Sequence, residues 1–373
     1  MQRFFYLFLL LSNIGLICFA NPAHGDNSRI LNIVVPKYSV PEYRNPNAED
    51  HIALLLPLES EALKRPAEVI KQGFMAAYKQ QSQTLPVKVY GTTDQTEDIV
   101  ANYRLAVQSG AKVIVGPLTH NGVAALSETG LSTVPTIALN TPEPDVVLPE
   151  NVYVFSLAVE QEVSQIVQIA HDSAQTAIAI AGSSPLDKRT EQSFVDEWQR
   201  AGGTVLDEIE YSSELDLTGL RENIATQNPD MIFLAASPYE ARLIRPYFNT
   251  NIPTYGVSHI YSGKPDPEKN VDLNDIIFVD MPWLLQPDHP AVMIYPRPDP
   301  PLPVELERLY ALGIDALRLA VIAASGKLED HDLILDGVTG KISMGEGHQL
   351  IRRLTAAQFK LETIQILGTN HHE

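Results

Sequence analysis

From His51 onward the sequence alternates short apolar runs with amphipathic stretches, and this alternation limits the folds that the chain can adopt. The runs HIALLLPL and KVIVGP have the length and composition of buried strands. The stretch 66–81 places Val69, Ile70 and Phe74 on one face of a helix. Strands that alternate with helices form a parallel sheet covered by helices on both faces. Because the alternation starts again near residue 161, the sequence predicts an α/β protein with two similar lobes.

Changes in this pattern divide the 373 residues into five segments. In the second lobe the predicted helices include 190–201 and 217–227. The end of the chain holds one strong amphipathic helix and a turn-rich run of strands, which is too little for a third domain. We therefore expect it to return to the first lobe. The predicted segments are 1–25 (signal peptide), 26–50 (linker), 51–158 (lobe 1), 159–280 (lobe 2) and 281–373 (crossover, return helix and strands that complete lobe 1).

The N-terminus has the features of a secretory signal. Arg3 precedes an apolar run that ends at Ala20, and small residues follow, so cleavage after either Ala20 or Gly25 is predicted. An uncleaved anchor is the alternative, although the run is short for a span of about 20 apolar residues. The single cysteine, Cys18, lies inside this signal, and the residues before it match a lipoprotein signal poorly. We expect a periplasmic protein that contacts a membrane only if Cys18 carries a lipid.

The charge of the chain argues against two classes of partner. With 27 basic and 46 acidic residues, the formal net charge is −19. Proteins that bind nucleic acid present basic surfaces to the phosphate backbone, and attachment to anionic lipid needs basic clusters as well. The sequence therefore predicts no nucleic-acid partner and no electrostatic attachment to a membrane.

Polar loops follow the predicted strands in both lobes. Open α/β sheets bind ligands beyond the carboxyl ends of their strands, so these loops are expected to surround one cleft. Neutral hydrogen-bonding side chains and helix N-termini suit a small polar or anionic ligand. The alternative is that several of these side chains only cap helices. The candidates for the ligand cleft are Ser60, Thr119, His120, Asn140, Thr141, Ser183, Ser184, Ser237, Tyr239, Ser258, His259 and Tyr261.

Signals for catalysis are weak in the sequence. It contains no HExxH, GxSxG, phosphate-loop or dinucleotide glycine motif. No carboxylate is placed by the sequence to orient His120 or His259 as a base. We therefore predict no catalytic residue, no metal site and no cofactor, and we expect a protein that is not an enzyme.

The segment 293–305, MIYPRPDPPLPVE, holds five prolines and should be extended and excluded from a sheet interior. Two interpretations stay open: a stiff loop near the last crossover, or an exposed docking segment for a partner. The helix that follows contains YALGIDALRLAV, in which Leu312, Ala316 and Leu319 share one face. We expect that face to pack against lobe 1.

Several stretches carry a family resemblance, among them IALLLPL, VIVGPLTHNGVAAL, PTIALNTPE, IIFVDMPWLL, YALGIDALRL and GVTGKISM. With these the chain resembles the LppC/LpoA family, the penicillin-binding-protein activators of Gram-negative bacteria, in family order from about residue 51 to 368. The resemblance implies a type I periplasmic-binding-protein-like fold of two α/β lobes. It also implies contact with a bifunctional penicillin-binding protein, and a location in the periplasm or, for a lipoprotein, at the outer membrane. In amino-acid-binding relatives the ligand loops correspond to Thr119, His120 and Thr141.

Three functions are compatible with the sequence. The first is a non-enzymatic regulator of peptidoglycan synthesis that acts through protein contact. The second is a receptor whose lobes close on a small polar ligand such as an amino acid. The third is a cell-wall hydrolase or transferase, which would need a clustered acid–base pair that the sequence does not reveal.

Overall fold

The computed structural model describes residues 48–81, 84–129, 132–143, 145–264, 270–330, 333–361 and 363–368. The predicted signal peptide and most of the predicted linker lie outside these residues, so cleavage and lipidation at Cys18 stay predictions. Within the described ranges, no helix has the length and apolar character needed to cross a membrane.

The first sheet is parallel throughout and is covered on both faces. Its strands are β1 (His51–Leu56), β2 (Val87–Gly91), β3 (Ala111–Val115), β4 (Thr136–Ala138) and β5 (Val152–Val154), in the order β2–β1–β3–β4–β5. The helices between them are α1 (Lys64–Gln80), α2 (Thr96–Gln108) and α3 (His120–Thr129). In β1, Ile52 and Leu54 pack in the core on the α1 side, whereas Ala53 and Leu55 pack on the α2 side. All of β1 is buried for this reason.

The second sheet has seven strands, of which five are parallel. The parallel strands are β6 (Thr176–Ala181), β7 (Thr204–Glu210), β8 (Met231–Ala235), β9 (Thr254–Gly256) and β10 (Ile277–Asp280). Helices α4 (Val159–Ala170), α5 (Pro185–Arg200), α6 (Leu217–Gln227) and α7 (Pro238–Ile244) accompany them. The α/β prediction, with two lobes that each contain a mainly parallel sheet flanked by helices, is confirmed. The lobe boundaries at 158/159 and 280/281 stay predictions.

Among its described residues, the part of the chain after 280 forms three α-helices and five strands. The helices are α8 (Pro282–Leu285), α9 (Pro290–Met293) and α10 (Val304–Ala324). The strands β11 (Ile334–Asp336), β12 (Lys341–Met344) and β13 (Leu350–Arg353) form a separate antiparallel sheet. The strands β14 (Thr355–Lys360) and β15 (Thr363–Ile366) extend the second sheet, whose order is β15–β14–β10–β9–β8–β6–β7.

The expectation that the C-terminal strands complete lobe 1 is therefore wrong for β14 and β15. β14 pairs antiparallel with β10, so that Ile277 lies opposite Gln358 and Phe278 opposite Ala357. Buried Phe359 then packs on Phe278, with their ring centroids 4.6 Å apart. A strand's own alternation shows that one face is buried, but it does not show which sheet covers that face.

The expectation for α10 is confirmed, because this helix packs against α1 of lobe 1 with its Leu312, Ala316 and Leu319 buried. The two helix backbones touch at a pair of glycines. A Cβ atom on Gly73 would lie 1.9 Å from the carbonyl oxygen of Tyr310, and one on Gly313 would lie 2.1 Å from that of Ile70. Glycine is required at both positions because any side chain there would separate the helices.

Candidate functional site

A cavity of about 200 Å³ lies where the two lobes meet. Lobe 1 supplies the loops after β3 and β4, lobe 2 supplies α5, and α10 closes one side. Of the predicted cleft residues, His120, Asn140 and Thr141 are among its lining residues. Most of the others are apolar: the full lining is Leu118, His120, Leu139, Asn140, Thr141, Leu157, Ala158, Val159, Leu186, Arg189, Leu309 and Leu312.

The polar groups of this cavity mainly hold its own walls. The Nδ1–H of His120 donates to the carbonyl oxygen of Thr141 at 2.6 Å. Asn140 donates through Nδ2 to the carbonyl of Leu118, and its Oδ1 accepts the backbone N–H of Thr141, both at 2.9 Å. The guanidinium of Arg189 pairs with Glu160 at 2.7 Å. These bonds fix the two lobe 1 loops against each other and leave few polar atoms to receive a ligand.

Two further lobe 1 candidates have capping or turn roles. Thr119 Oγ1 accepts the backbone N–H of Gly122 at 3.2 Å at the start of α3. Ser60 is buried, accepts the N–H of Leu63 and donates to Asp94 Oδ2 at 3.3 Å. Neither residue is among those that line the cavity. The capping alternative from the sequence therefore describes what these two side chains do here, and any ligand contact by them stays a prediction.

In lobe 2, the predicted serines Ser183, Ser184 and Ser237 donate hydrogen bonds to buried carboxylates. Glu240 accepts the backbone N–H and hydroxyl of Ser183 and the hydroxyl of Ser237. Burial opposes its charge, but these bonds lower the pKa of Glu240. Ser184 forms a reciprocal capping box with Asp187 at the start of α5. Tyr239 is 65% exposed, and none of these residues is among those that line the cavity.

Ser258 and Tyr261 belong to a buried cluster around Arg308 of α10. Their backbone carbonyls accept from Arg308 Nη2 at 2.8 and 3.3 Å, and Asp280, at the end of β10, accepts from the same atom at 2.7 Å. Glu305 accepts from Nη1 at 3.0 Å. Burial disfavours the charge of Arg308, yet the two carboxylates raise its pKa above the usual range. The guanidinium therefore stays charged and ties α10 to the ends of β9 and β10.

His259 lies at the edge of this cluster between two carboxylates. Its Nδ1 is 3.6 Å from Glu305 Oε1, and its Nε2 is 3.7 Å from Asp187 Oδ1. Glu305 and Asp187 together raise the pKa of His259, although its burial and the nearby Arg308 oppose them. The two carboxylates thus favour the charged form of the imidazole, which is unsuited to a free general base.

A second buried arginine joins the crossover segments. Arg352 of β13 donates through Nε to the carbonyl of Ser156, 196 residues earlier, at 2.9 Å. Its Nη2 lies 3.9 Å from Glu162 of α4, which in turn accepts the N–H of Ser258 at 2.9 Å. Sequence reasoning missed Glu162, Asp280, Arg308 and Arg352. The one available signal was a charged residue inside an otherwise apolar stretch, as in FVDMP.

Chemically, this arrangement fixes loops and joins lobes. Among the residues that the structure describes, no three His, Cys, Asp or Glu side chains come close enough to hold a metal ion. Nine of the twelve predicted candidates form two groups: His120, Asn140 and Thr141 at the cavity, and Ser183, Ser184, Ser237, Ser258, His259 and Tyr261 around the buried charges of lobe 2. Their role as ligand contacts stays a prediction.

Comparison with known proteins gives a family and a set of relatives. A family model described as "LppC putative lipoprotein" matches residues 45–361. The penicillin-binding protein activator LpoA of Pectobacterium parmentieri is 27% identical over 327 residues, which is 75% of this chain and 48% of that protein. LpoA of Edwardsiella piscicida is 28% identical over 322 residues, 74% of this chain and 46% of that protein. The chain thus spans about half the length of the curated relatives it matches.

Solved structures share the fold. A "putative branched-chain amino acid ABC transporter" from Chromobacterium violaceum is 34% identical with a TM-score of 0.72, over 83% of this chain and 100% of that one. Full-length LpoA from Haemophilus influenzae is 22% identical with a TM-score of 0.71, over 87% of this chain and 60% of that one. The C-domain of the same LpoA, described as a regulator of PBP1A, has a TM-score of 0.69 at 22% identity and covers 85% and 100%.

Proposed function

Because the chain belongs to the LppC family, we propose that it is a non-enzymatic envelope protein that activates a penicillin-binding protein through protein contact. The observation that carries this proposal is the match of residues 45–361 to the family, together with curated relatives named for that activation. The partner would be a bifunctional peptidoglycan synthase. We place the protein in the periplasm, with attachment to the outer membrane only if Cys18 is lipidated.

The geometry of the cleft supports contact rather than solute capture as the main activity. Pockets that enclose a small organic ligand usually measure roughly 300–1,000 Å³ and present a few convergent polar groups. The interlobe cavity is about 200 Å³, and the polar groups of His120, Asn140 and Arg189 already bind neighbouring residues. The alternative, a receptor for a small polar ligand such as an amino acid, would use this cavity and is tested alongside.

The test combines synthase activity with ligand binding. Purified mature protein is added to the bifunctional penicillin-binding protein of the same organism, and the rates of glycan polymerisation and peptide crosslinking are measured. We expect the rates to rise with added protein, and the protein alone to release no product from peptidoglycan.

The alternative is examined in a thermal-shift assay with the twenty amino acids. Unchanged synthase rates together with a ligand-dependent rise in melting temperature would contradict the proposal and favour the receptor. Product formed by the protein alone would overturn the non-enzymatic assignment.

A further inference from the structure

A second concave surface lies on lobe 1, away from the interlobe cavity. It runs between α1 and the proline-rich segment 294–303 and has a volume of about 470 Å³. We call it the α1–proline groove. Met75, Ala76 and Tyr310 form an apolar floor, and Arg65, Lys79 and Arg297 supply three cations.

Both walls of the α1–proline groove are preformed. On α1, Arg65 and Lys79 are fourteen residues apart, so they point to the same side of the helix four turns apart. On the other wall, the guanidinium of Arg297 lies 3.8 Å above the ring of Trp283. The hydroxyl of Tyr310 donates to the carbonyl of Pro296 at 3.0 Å. Because prolines also restrict this wall, a partner that binds here pays little for ordering it.

The charge of the groove is opposite to that of the chain as a whole. The net charge is −19, yet the groove is lined by three cations and the single carboxylate of Asp299. Some surface cations outside the groove, such as Lys88, Lys112 and Lys188, lie within ion-pair distance of a carboxylate. Arg65 and Lys79 are exposed and form no ion pair with any residue that the structure describes, whereas Arg297 stacks on Trp283 and interacts electrostatically with Glu307. The charges of Arg65 and Lys79 are thus available to a partner.

We propose that the α1–proline groove binds an acidic segment, with apolar side chains, on the surface of the penicillin-binding protein. This inference rests on the proposed function and assigns the contact to a defined surface. The cations would pair with the partner's carboxylates, and the floor of Met75, Ala76 and Tyr310 would bury its apolar side chains.

Two other occupants fit the groove less well. The chain's own stretch 26–47 carries Arg29, Lys37 and Arg44 against Asp26 and Glu42, so its charge does not complement the groove. An anionic membrane would attract the cations, but a flat surface would not reach an apolar floor between two walls, and the net charge of the chain would repel it.

The test is a charge reversal with a matched control. The double variant Arg65→Glu/Lys79→Glu changes the groove, and Arg104→Glu/Lys327→Glu makes the same net change at two other exposed cations that do not line it. All four side chains are at the surface, and melting temperatures verify that both variants fold. Binding of the full chain to the penicillin-binding protein is measured by biolayer interferometry at several salt concentrations.

We expect the groove variant to bind roughly tenfold more weakly or worse, with a reduced salt dependence, and the control to bind like the wild type. An equal loss of binding in both variants would mean that only the net charge of the chain matters, and it would contradict the proposal that the groove is the binding site. If the groove variant binds the synthase as strongly as the wild type does, the groove is not the binding site, and the proposed function is unaffected. If the wild-type chain does not bind the synthase, the proposed function and this inference fall together.

Vesicles of phosphatidylglycerol and phosphatidylcholine form a second arm of the test. Binding to these vesicles by the wild type that the groove variant loses would assign the cations to a lipid surface and contradict the proposal. No vesicle binding, combined with loss of synthase binding by the groove variant, is the result that supports it.

Discussion

The two lobes are built on the same strand–helix alternation, but they are held together differently where they meet α10. In lobe 1, α10 lies directly on α1 through glycines and apolar side chains, so this seam depends on backbone proximity. In lobe 2, α10 reaches the strand ends through Arg308, which binds Asp280 and two backbone carbonyls. The same helix thus contacts lobe 1 through apolar packing, here called the apolar seam, and contacts lobe 2 through the ion pair and hydrogen bonds of Arg308, here called the charged tie. The comparison shows that a shared architecture does not imply a shared means of stabilisation.

The largest effect is expected from breaking the charged tie with Arg308→Met. Asp280 would stay buried without its guanidinium, and removing one partner of a buried pair costs about 3–5 kcal/mol. Urea denaturation measures this loss in the free energy of unfolding. Arg353→Met on the exposed face of β13 is the matched control and should change stability by less than about 0.5 kcal/mol.

A double variant sharpens the same experiment. In Arg308→Met/Asp280→Leu no buried charge is left unpaired, so much of the lost stability should return. A loss below about 1 kcal/mol for Arg308→Met alone would mean that lobe 2 does not depend on this tie, and the contrast between the lobes would then fail.

A smaller effect is expected at the apolar seam from Gly73→Ala. Alanine favours an isolated helix over glycine by up to about 1 kcal/mol, so helix propensity alone predicts stabilisation. Its methyl group would instead meet the carbonyl oxygen of Tyr310, and such overpacking costs about 1–3 kcal/mol. Gly219→Ala in α6 is the control, because there the atoms nearest the methyl group belong to the movable side chain of Asp216 and not to the backbone of another helix. Greater stability of the Gly73 variant would show that the seam can open without cost.

The smallest effect concerns pH and His259. Glu305 and Asp187 raise the pKa of His259 in the folded protein above its ordinary value of 6.5. Its contribution to stability is therefore fully present below pH 6.5 and is lost as the pH rises through the folded-state pKa. The melting temperature of His259→Gln should differ from that of the wild type more at pH 6 than at pH 9, by an amount equivalent to less than about 1 kcal/mol.

His171→Gln replaces another histidine of lobe 2, which lies beside Trp198, and its melting temperature is measured at the same two pH values for comparison. A His259 difference that is equal at pH 6 and pH 9, or larger at pH 9, would contradict the assigned direction of the shift.

The sequence predicts helix ends well where nearby capping residues determine them. The helix Leu217–Gln227 has the predicted bounds because Asp216 caps its start and Asn228, with a positive φ of 48°, ends it. The helix predicted over 190–201 begins instead at Pro185, because Ser184 and Asp187 form a capping box there. A capping residue followed by proline and then an acid is itself a signal for a helix start.

The rest of the site depends on contacts that no local pattern contains. Arg308 and Asp280 are 28 residues apart, and Arg352 reaches Ser156 across 196 residues. The sequence placed Ser258 and Tyr261 near a cleft but did not show that their carbonyls already bind a guanidinium. The pairing of β14 with β10 is of the same kind, since the register depends on which apolar face is still uncovered after the parallel strands have paired.

Each lobe is completed by elements from the C-terminal part of the chain. Lobe 1 needs α10, which begins at Val304, and the second sheet needs β14 and β15, which begin at Thr355. A cut at the lobe boundary would therefore yield no half that folds by itself. During synthesis from the N-terminus, the face of α1 stays uncovered until α10 has been made, and the free edge of β10 stays uncovered until β14 has been made. These two surfaces are then the places where an incomplete chain would aggregate with another copy.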